Sequence, residues 1–141
     1  MNIFLDTNIL LDVLSRRKPY DVPAGRIWTL AESGAVKAFV SAISYNNVYF
    51  IIRKQEGRES AMKAMKLMRR IFQTVAVDER LLDEVIRDSP RDFEDAIQYA
   101  SALRCRARYL VTRNPSDFPK GGPEIVSAEQ CVELVQAIGG R

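Results

Sequence analysis

Histidine is absent from this 141-residue chain. Any metal binding or acid–base work therefore falls to carboxylates, because imidazole, the usual neutral-pH proton carrier and ligand, is missing. Cysteine is scarce. Cys105 and Cys131 have neither metal-ligand spacing nor a disulfide framework, and both fit helical patterns as free buried thiols. No apolar run reaches the roughly 18–20 residues that a membrane span needs. The N-terminus, Met-Asn-Ile-Phe-Leu-Asp, has no basic lead and no cleavage site, so it does not read as a signal peptide. It is expected to be the first strand of a cytoplasmic protein. There is no internal repeat, linker or low-complexity tract.

The chain is long enough for one domain, 1–141, with a real core, and its 47% hydrophobic content is ordinary for a globular protein. A net charge of +3 is too mild to identify a nucleic-acid binder. Its distribution says more. Arg16-Arg17-Lys18, then Lys66, Arg69 and Arg70, then Arg104, Arg106, Arg108 and Arg113 form separate basic groups. A basic rim around an acidic centre suits a polyanion held near a metal, although each group alone also reads as a solvated face.

Strands are expected at Asn2–Leu5, Val36–Val40, Gln73–Val77, Tyr109–Thr112 and Glu124–Val126. Helices are expected between them: Asn8–Leu14, Pro23–Ser33 stopped by Gly34, Ser41–Lys54 stopped by Gly57, and Arg58–Phe72. The last of these carries Ala61, Met65, Met68 and Phe72 as an apolar stripe. Asp78 can cap a further helix, another follows Pro90, and Ser127 with Gln130 has capping-box spacing for the final one. Strands alternating with helices predict an α/β fold: a central parallel sheet of about five strands, flanked by helices in three layers. Such sheets bind ligands at the carboxyl ends of their strands.

Three acidic words stand where strands end or helices begin: Leu5-Asp6-Thr7-Asn8, Asp92-Phe93-Glu94-Asp95, and Thr112-Arg113-Asn114-Pro115-Ser116-Asp117-Phe118. Each has an ordinary reading. Asp6 could be a helix cap, Asp92 and Asp95 could serve a helix dipole, and Asp117 could belong to a turn. If the fold brings them together, they make a carboxylate cluster suited to Mg²⁺ or Mn²⁺ and to phosphate-ester chemistry. Thr7 and Asn8 can orient the first carboxylate. In the helix after Pro90, Ala96, Ala100, Leu103 and Ala107 are expected as the buried stripe, and extending it back one turn reaches Asp92, with Asp95 on the same face. Two such carboxylates repel, and a cation relieves them more than a helix N-terminus does.

Leu5-Asp6-Thr7-Asn8-Ile9-Leu10-Leu11-Asp12, Asp95-Ala96-Ile97-Gln98-Tyr99-Ala100 and Leu110-Val111-Thr112-Arg113-Asn114 with Asp117-Phe118 resemble the PIN domain family, in order and across essentially the whole chain. The nearest group is the small bacterial PIN proteins that include VapC-type toxins. The resemblance implies a metal-dependent ribonuclease with Asp6, Asp95 and Asp117 as its acids, and Asp92 as an extra acid able to share the Mg²⁺ or Mn²⁺ or to replace a missing ligand. It departs at one place. The family's glutamate in a Ser-Ala-Ile-Thr-x-x-Glu-like word aligns with Asn47 of Ser41-Ala42-Ile43-Ser44-Tyr45-Asn46-Asn47. Asparagine can ligate Mg²⁺ or hold its water but brings no charge.

The expected function is hydrolysis of RNA phosphodiesters. Asn8, Asn47, Thr112 and Asn114 stand as supporting or substituted ligands, and Arg113, Arg16, Arg17 and Lys18 as substrate contacts. The resemblance further implies a homodimer and an antitoxin partner, expected on the Met62, Met65 and Met68 surface of the 43–72 helical pair, although methionines so placed are more often plain core. The alternative is a catalytically weak or inactive PIN-like module that binds RNA or protein, which Asn47 favours. A phosphatase using Asp6 as nucleophile is the least favoured reading, because Asn8 stands where a second acid is needed.

Overall fold

The computed structural model describes residues 1–139. Five parallel strands, β1 (Asn2–Leu5), β2 (Lys37–Ser41), β3 (Gln73–Val75), β4 (Tyr109–Val111) and β5 (Glu124–Val126), form one sheet in the order β3-β2-β1-β4-β5. Its helices are α1 (Thr7–Leu14), α2 (Asp21–Glu32), α3 (Ala42–Glu56), α4 (Arg58–Ile71), α5 (Glu79–Arg87), α6 (Phe93–Arg104) and α7 (Ala128–Gly139), with a 3₁₀ turn at Pro115–Asp117. The α/β sequence pattern therefore gives the expected parallel sheet between helical layers.

Alternation along the strands explains the layering. Ile3, Leu5, Tyr109 and Val111 point into the larger core, which they share with Ile9 and Leu10 of α1, Ile27 and Trp28 of α2, and Met68 of α4. Phe4 and Leu110 point the other way, onto Ala102 of α6 and Phe118. Both faces of β1 and β4 are thus covered, so these short strands read as continuous apolar runs. Trp28 and Phe72 meet edge to face at 4.8 Å and join α2 to the end of α4.

The strand order places the site. From β1 the chain moves outward through β2 to β3, then returns to add β4 on the opposite side of β1. The crevice outside the carboxyl ends of β1 and β4 is therefore a topological switch point, where open α/β sheets bind ligands. Gly57 (φ 94°) lets α3 turn directly into α4, a conformation strained for other residues. The last helix starts as its capping box predicts: Ser127 Oγ accepts from Gln130 N at 3.1 Å, and Gln130 Oε1 accepts from Ser127 N at 2.9 Å.

One helix face differs from expectation. The buried side of α6 is Ile97, Gln98, Ser101 and Ala102, whereas Leu103 is 49% exposed and Ala107 lies beyond the helix. Alanine is a weak marker of burial. Two polar donors find partners inside: Ser101 Oγ donates to Ile97 O at 2.7 Å, and Gln98 Nε2 donates to Thr7 and Ser44. Of the three methionines, Met68 is fully buried and Met65 packs partly buried against the larger core, so the core reading holds for these two. On α3 and α4 the large apolar residues left outside are Phe50 and Met62.

Candidate functional site

Asp6 follows β1 directly and caps α1. Its Oδ1 accepts from Thr7 N at 2.8 Å and its Oδ2 accepts from the Thr112 hydroxyl at 2.9 Å. Only 6% of Asp6 is exposed. Burial pushes its carboxyl above the usual range, the two hydrogen bonds pull it back, and repulsion from Glu94 and Asp117 raises it again. Thr112, fully buried just past β4, also accepts from Asn114 N at 3.1 Å. One hydroxyl thus ties the first acid to the loop that carries Asp117.

The second acidic word opens α6. Asp92 is its N-cap, exposed, and its Oδ1 accepts from Asp95 N at 2.9 Å. Asp92 therefore serves the helix end, and does not lie on the buried seam as the alanine stripe suggested. Glu94 and Asp95, one turn before Gln98, flank the face turned toward α1 and α3. The Asp95 carboxyl is pushed up to about 6 by burial first, then by the charges of Asp92, Asp6 and Asp117. Burial likewise raises Glu94, with Asp92 and Asp95 adding repulsion and Asn47 opposing it.

Beneath these acids lies a small polar knot. Gln98, fully buried, donates from Nε2 to Thr7 Oγ1 and to Ser44 Oγ, each at 3.0 Å, and the two hydroxyls are 2.8 Å apart. It joins α1, α3 and α6, the three helices that carry Asp6, Asn47 and Glu94–Asp95. Gln98 Oε1 and Asn8 Oδ1 are buried acceptors with no partner among the described residues.

Asp6, Thr7, Asn8, Asn47, Glu94, Asp95 and Asn114 line one cleft of about 430 Å³, with Phe50 at its side. Asp95 also borders a second groove of about 910 Å³ that contains Asp92, Asp117, Arg91 and Arg104. The structure thus brings Asp6 and Asp95 into one cleft and sets Asp117, on the exposed 3₁₀ turn, near enough to repel both. Among the described residues, no three carboxylates are gathered closely enough to form a ready-made metal cage. The donor set still suits a small hard cation. All its ligands are oxygens, the cleft holds excess negative charge, and Mg²⁺ commonly keeps several waters while binding only one or two carboxylates.

The expected cationic contacts lie elsewhere. Arg113 Nε sits 3.1 Å from Asp12 Oδ2, an ion pair whose angle is poor for a hydrogen bond, and its guanidinium covers Tyr20 at 4.4 Å. Asp12 is buried, which raises its carboxyl, while Arg113 and Arg17 oppose the rise. Arg16, Arg17 and Lys18 follow the far end of α1, about 12 Å along the helix from Asp6. Cys105 and Cys131 are free thiols pushed by burial up to about 11 and about 12, consistent with inert packing.

Glu94 stands in the second acidic word with no role expected of it, and no sequence motif pairs Gln98 with Ser44. A usable signal was present: Gln98 lies four residues after Glu94 on one helix, and Ser44 three before Asn47 on another.

A family model for the PIN domain matches residues 2–116. The chain belongs to the PIN domain family. Solved structures agree on the fold. The DNA-bound VapBC complex of Salmonella typhimurium superposes with a TM-score of 0.67 at 18% identity, covering 91% of this chain and 98% of that one. VapBC2 of Rickettsia felis, bound to a DNA fragment from its promoter, gives 0.66 at 16%, covering 90% and 98%. VapC20 of Mycobacterium tuberculosis, a toxin that cleaves the sarcin-ricin loop, gives 0.64 at 15%, covering 77% and 86%. No curated protein matches significantly by sequence. Among the described residues of this PIN-domain chain, no helix is long and apolar enough to cross a membrane.

Proposed function

We propose that this PIN-domain protein, a single domain over 1–141, is a Mg²⁺- or Mn²⁺-dependent endoribonuclease and the toxin of a VapBC-type pair, acting in the cytoplasm. The observation that carries this reading is the cleft at the β1/β4 switch point, where Asp6 and Asp95 face one space and Asp117 repels both. The PIN family match and the toxin structures that share its fold support it.

Asp6, Asp95 and Asp117 would hold the cation. When bound there, the ion supplies water activation and neutralises charge on a phosphodiester. Thr112 and the Thr7 amide fix the Asp6 carboxylate in one orientation, so that it needs no rearrangement to receive a ligand. The Gln98–Thr7–Ser44 knot keeps α1, α3 and α6 in register beneath it. Asn8 and Asn114 line the mouth with neutral oxygens. Exposed Arg16 and Lys18 remain free to meet the RNA backbone away from the reacting centre, while Arg113 is occupied with Asp12.

An antitoxin would cover the exposed apolar residues of α3 and α4, Phe50 and Met62. A homodimer follows from family resemblance. In the competing reading the chain is a weak or inactive PIN module, which Asn47 and the open spacing of the carboxylates favour.

RNA cleavage with Mn²⁺ separates the two. Wild type should cut, and Asp6→Asn and Asp95→Asn should each lose about a hundredfold or more of the rate. Equal activity in all three proteins would refute the assignment.

A further inference from the structure

Asn47 occupies the place where the PIN pattern carries a glutamate, yet the cleft is not short of charge. Asn47 Nδ2 donates to Glu94 Oε1 at 2.8 Å, bridging α3 and the first turn of α6. Glu94 has no need to cap that helix, because Asp92 already does so. It lies one turn before Gln98, whose fully buried amide points at Thr7 and Ser44, so helical periodicity directs Glu94 to the same side. It borders the same cleft as Asp6 and Asp95.

A glutamate at position 47 would face Glu94 at hydrogen-bond range, and two carboxylates cannot share that contact without strong repulsion. An amide at 47 removes the repulsion and holds the remaining carboxylate in place. The pair thus contains one carboxylate and one amide, with the carboxylate on α6 in place of α3. The space itself is rich in oxygen: Asp6, Thr7, Asn8, Asp95 and Asn114 line the same cleft as Glu94 and offer oxygen donors suited to a small hard cation.

We propose that Glu94 supplies the carboxylate that position 47 has lost, holding the hydrated divalent cation together with Asp6 and Asp95, and that Asn47 is its positioning residue. The inference rests on the metal-dependent reading of the site. Because ligand charge sets divalent affinity, the exchange also requires that the carboxylate work from either helix.

Calorimetric titration of Mn²⁺ into the full chain tests this without any activity assay. Glu94 is exposed, so Glu94→Gln should fold normally, which circular dichroism checks. Its Mn²⁺ affinity should fall by about tenfold or more. The double variant Asn47→Glu with Glu94→Gln returns the charge to α3 and should recover most of the loss. Wild-type affinity in Glu94→Gln, alongside weakened binding in Asp6→Asn, overturns the role of Glu94 and leaves the site reading standing. A double variant no tighter than the single one also overturns the exchange. If wild type binds no Mn²⁺ at millimolar concentration, the metal reading and the Glu94 role fall together.

Discussion

Gln98 reaches two hydroxyls from a fully buried position, while its own Oε1 has no partner among the described residues. The first fact stabilises the fold and the second opposes it, because an unpaired buried acceptor keeps its desolvation cost. Gln98→Ala removes both hydrogen bonds and leaves a void, for an expected loss of about 2–3 kcal/mol. Gln98→Leu fills the space and removes the orphan acceptor, so it should cost only about 1 kcal/mol. Urea unfolding of the two variants checks the order. An alanine variant as stable as wild type would show that the knot does not hold the helices. None of this was legible beforehand, because a glutamine inside an alanine-rich helix looks like a surface residue until its partners on two other helices are known.

Helix α6 shows how a correct word can be joined to an incorrect face. Its start after Pro90, its acidic first turn and the place of Asp95 were readable from local pattern. The buried side was not, since alanines lie on several faces and Gln98 and Ser101 enter the interior only through tertiary hydrogen bonds. That error moved Asp92 toward the seam and left Glu94 unassigned. With Asp92 as the cap, Asp92→Ala should destabilise the protein by about 1 kcal/mol, and Asp92→Ser, which can also cap, should recover most of it. Mn²⁺ affinity should stay near wild type in the serine variant. A drop matching that of Asp6→Asn would make Asp92 a ligand after all. Strand positions were easier: β1 and β5 match their expected bounds, and β3 is two residues shorter because the edge strand stops pairing at Val75.

The assembled chain concentrates repelling carboxylates at one end of its sheet, which predicts a stability that depends on pH and, if the proposed cation binds there, on metal. Asp95 titrates near 6 when folded against an ordinary 3.8, and Asp6 and Glu94 shift in the same direction. A raised carboxyl binds its proton more tightly in the folded state. Its stabilising contribution is therefore complete below 3.8 and is lost as pH rises through about 6. Without metal, Asp95→Asn should melt at a higher temperature than wild type at pH 7, with the gap narrowing toward pH 5. Mn²⁺ should raise the wild-type melting temperature at pH 7 and leave the variant nearly unmoved. Parallel pH profiles for the two proteins would contradict this electrostatic picture. The switch-point location was inferable from strand alternation, but the distances among acids on β1, α6 and the last loop depend on long-range packing that local pattern does not encode. Anomalous scattering from a crystal soaked in Mn²⁺ addresses the core of the account. A peak about 2.1 Å from carboxylate oxygens of both Asp6 and Asp95 is the predicted result. A peak elsewhere, or none at millimolar Mn²⁺, would contradict it.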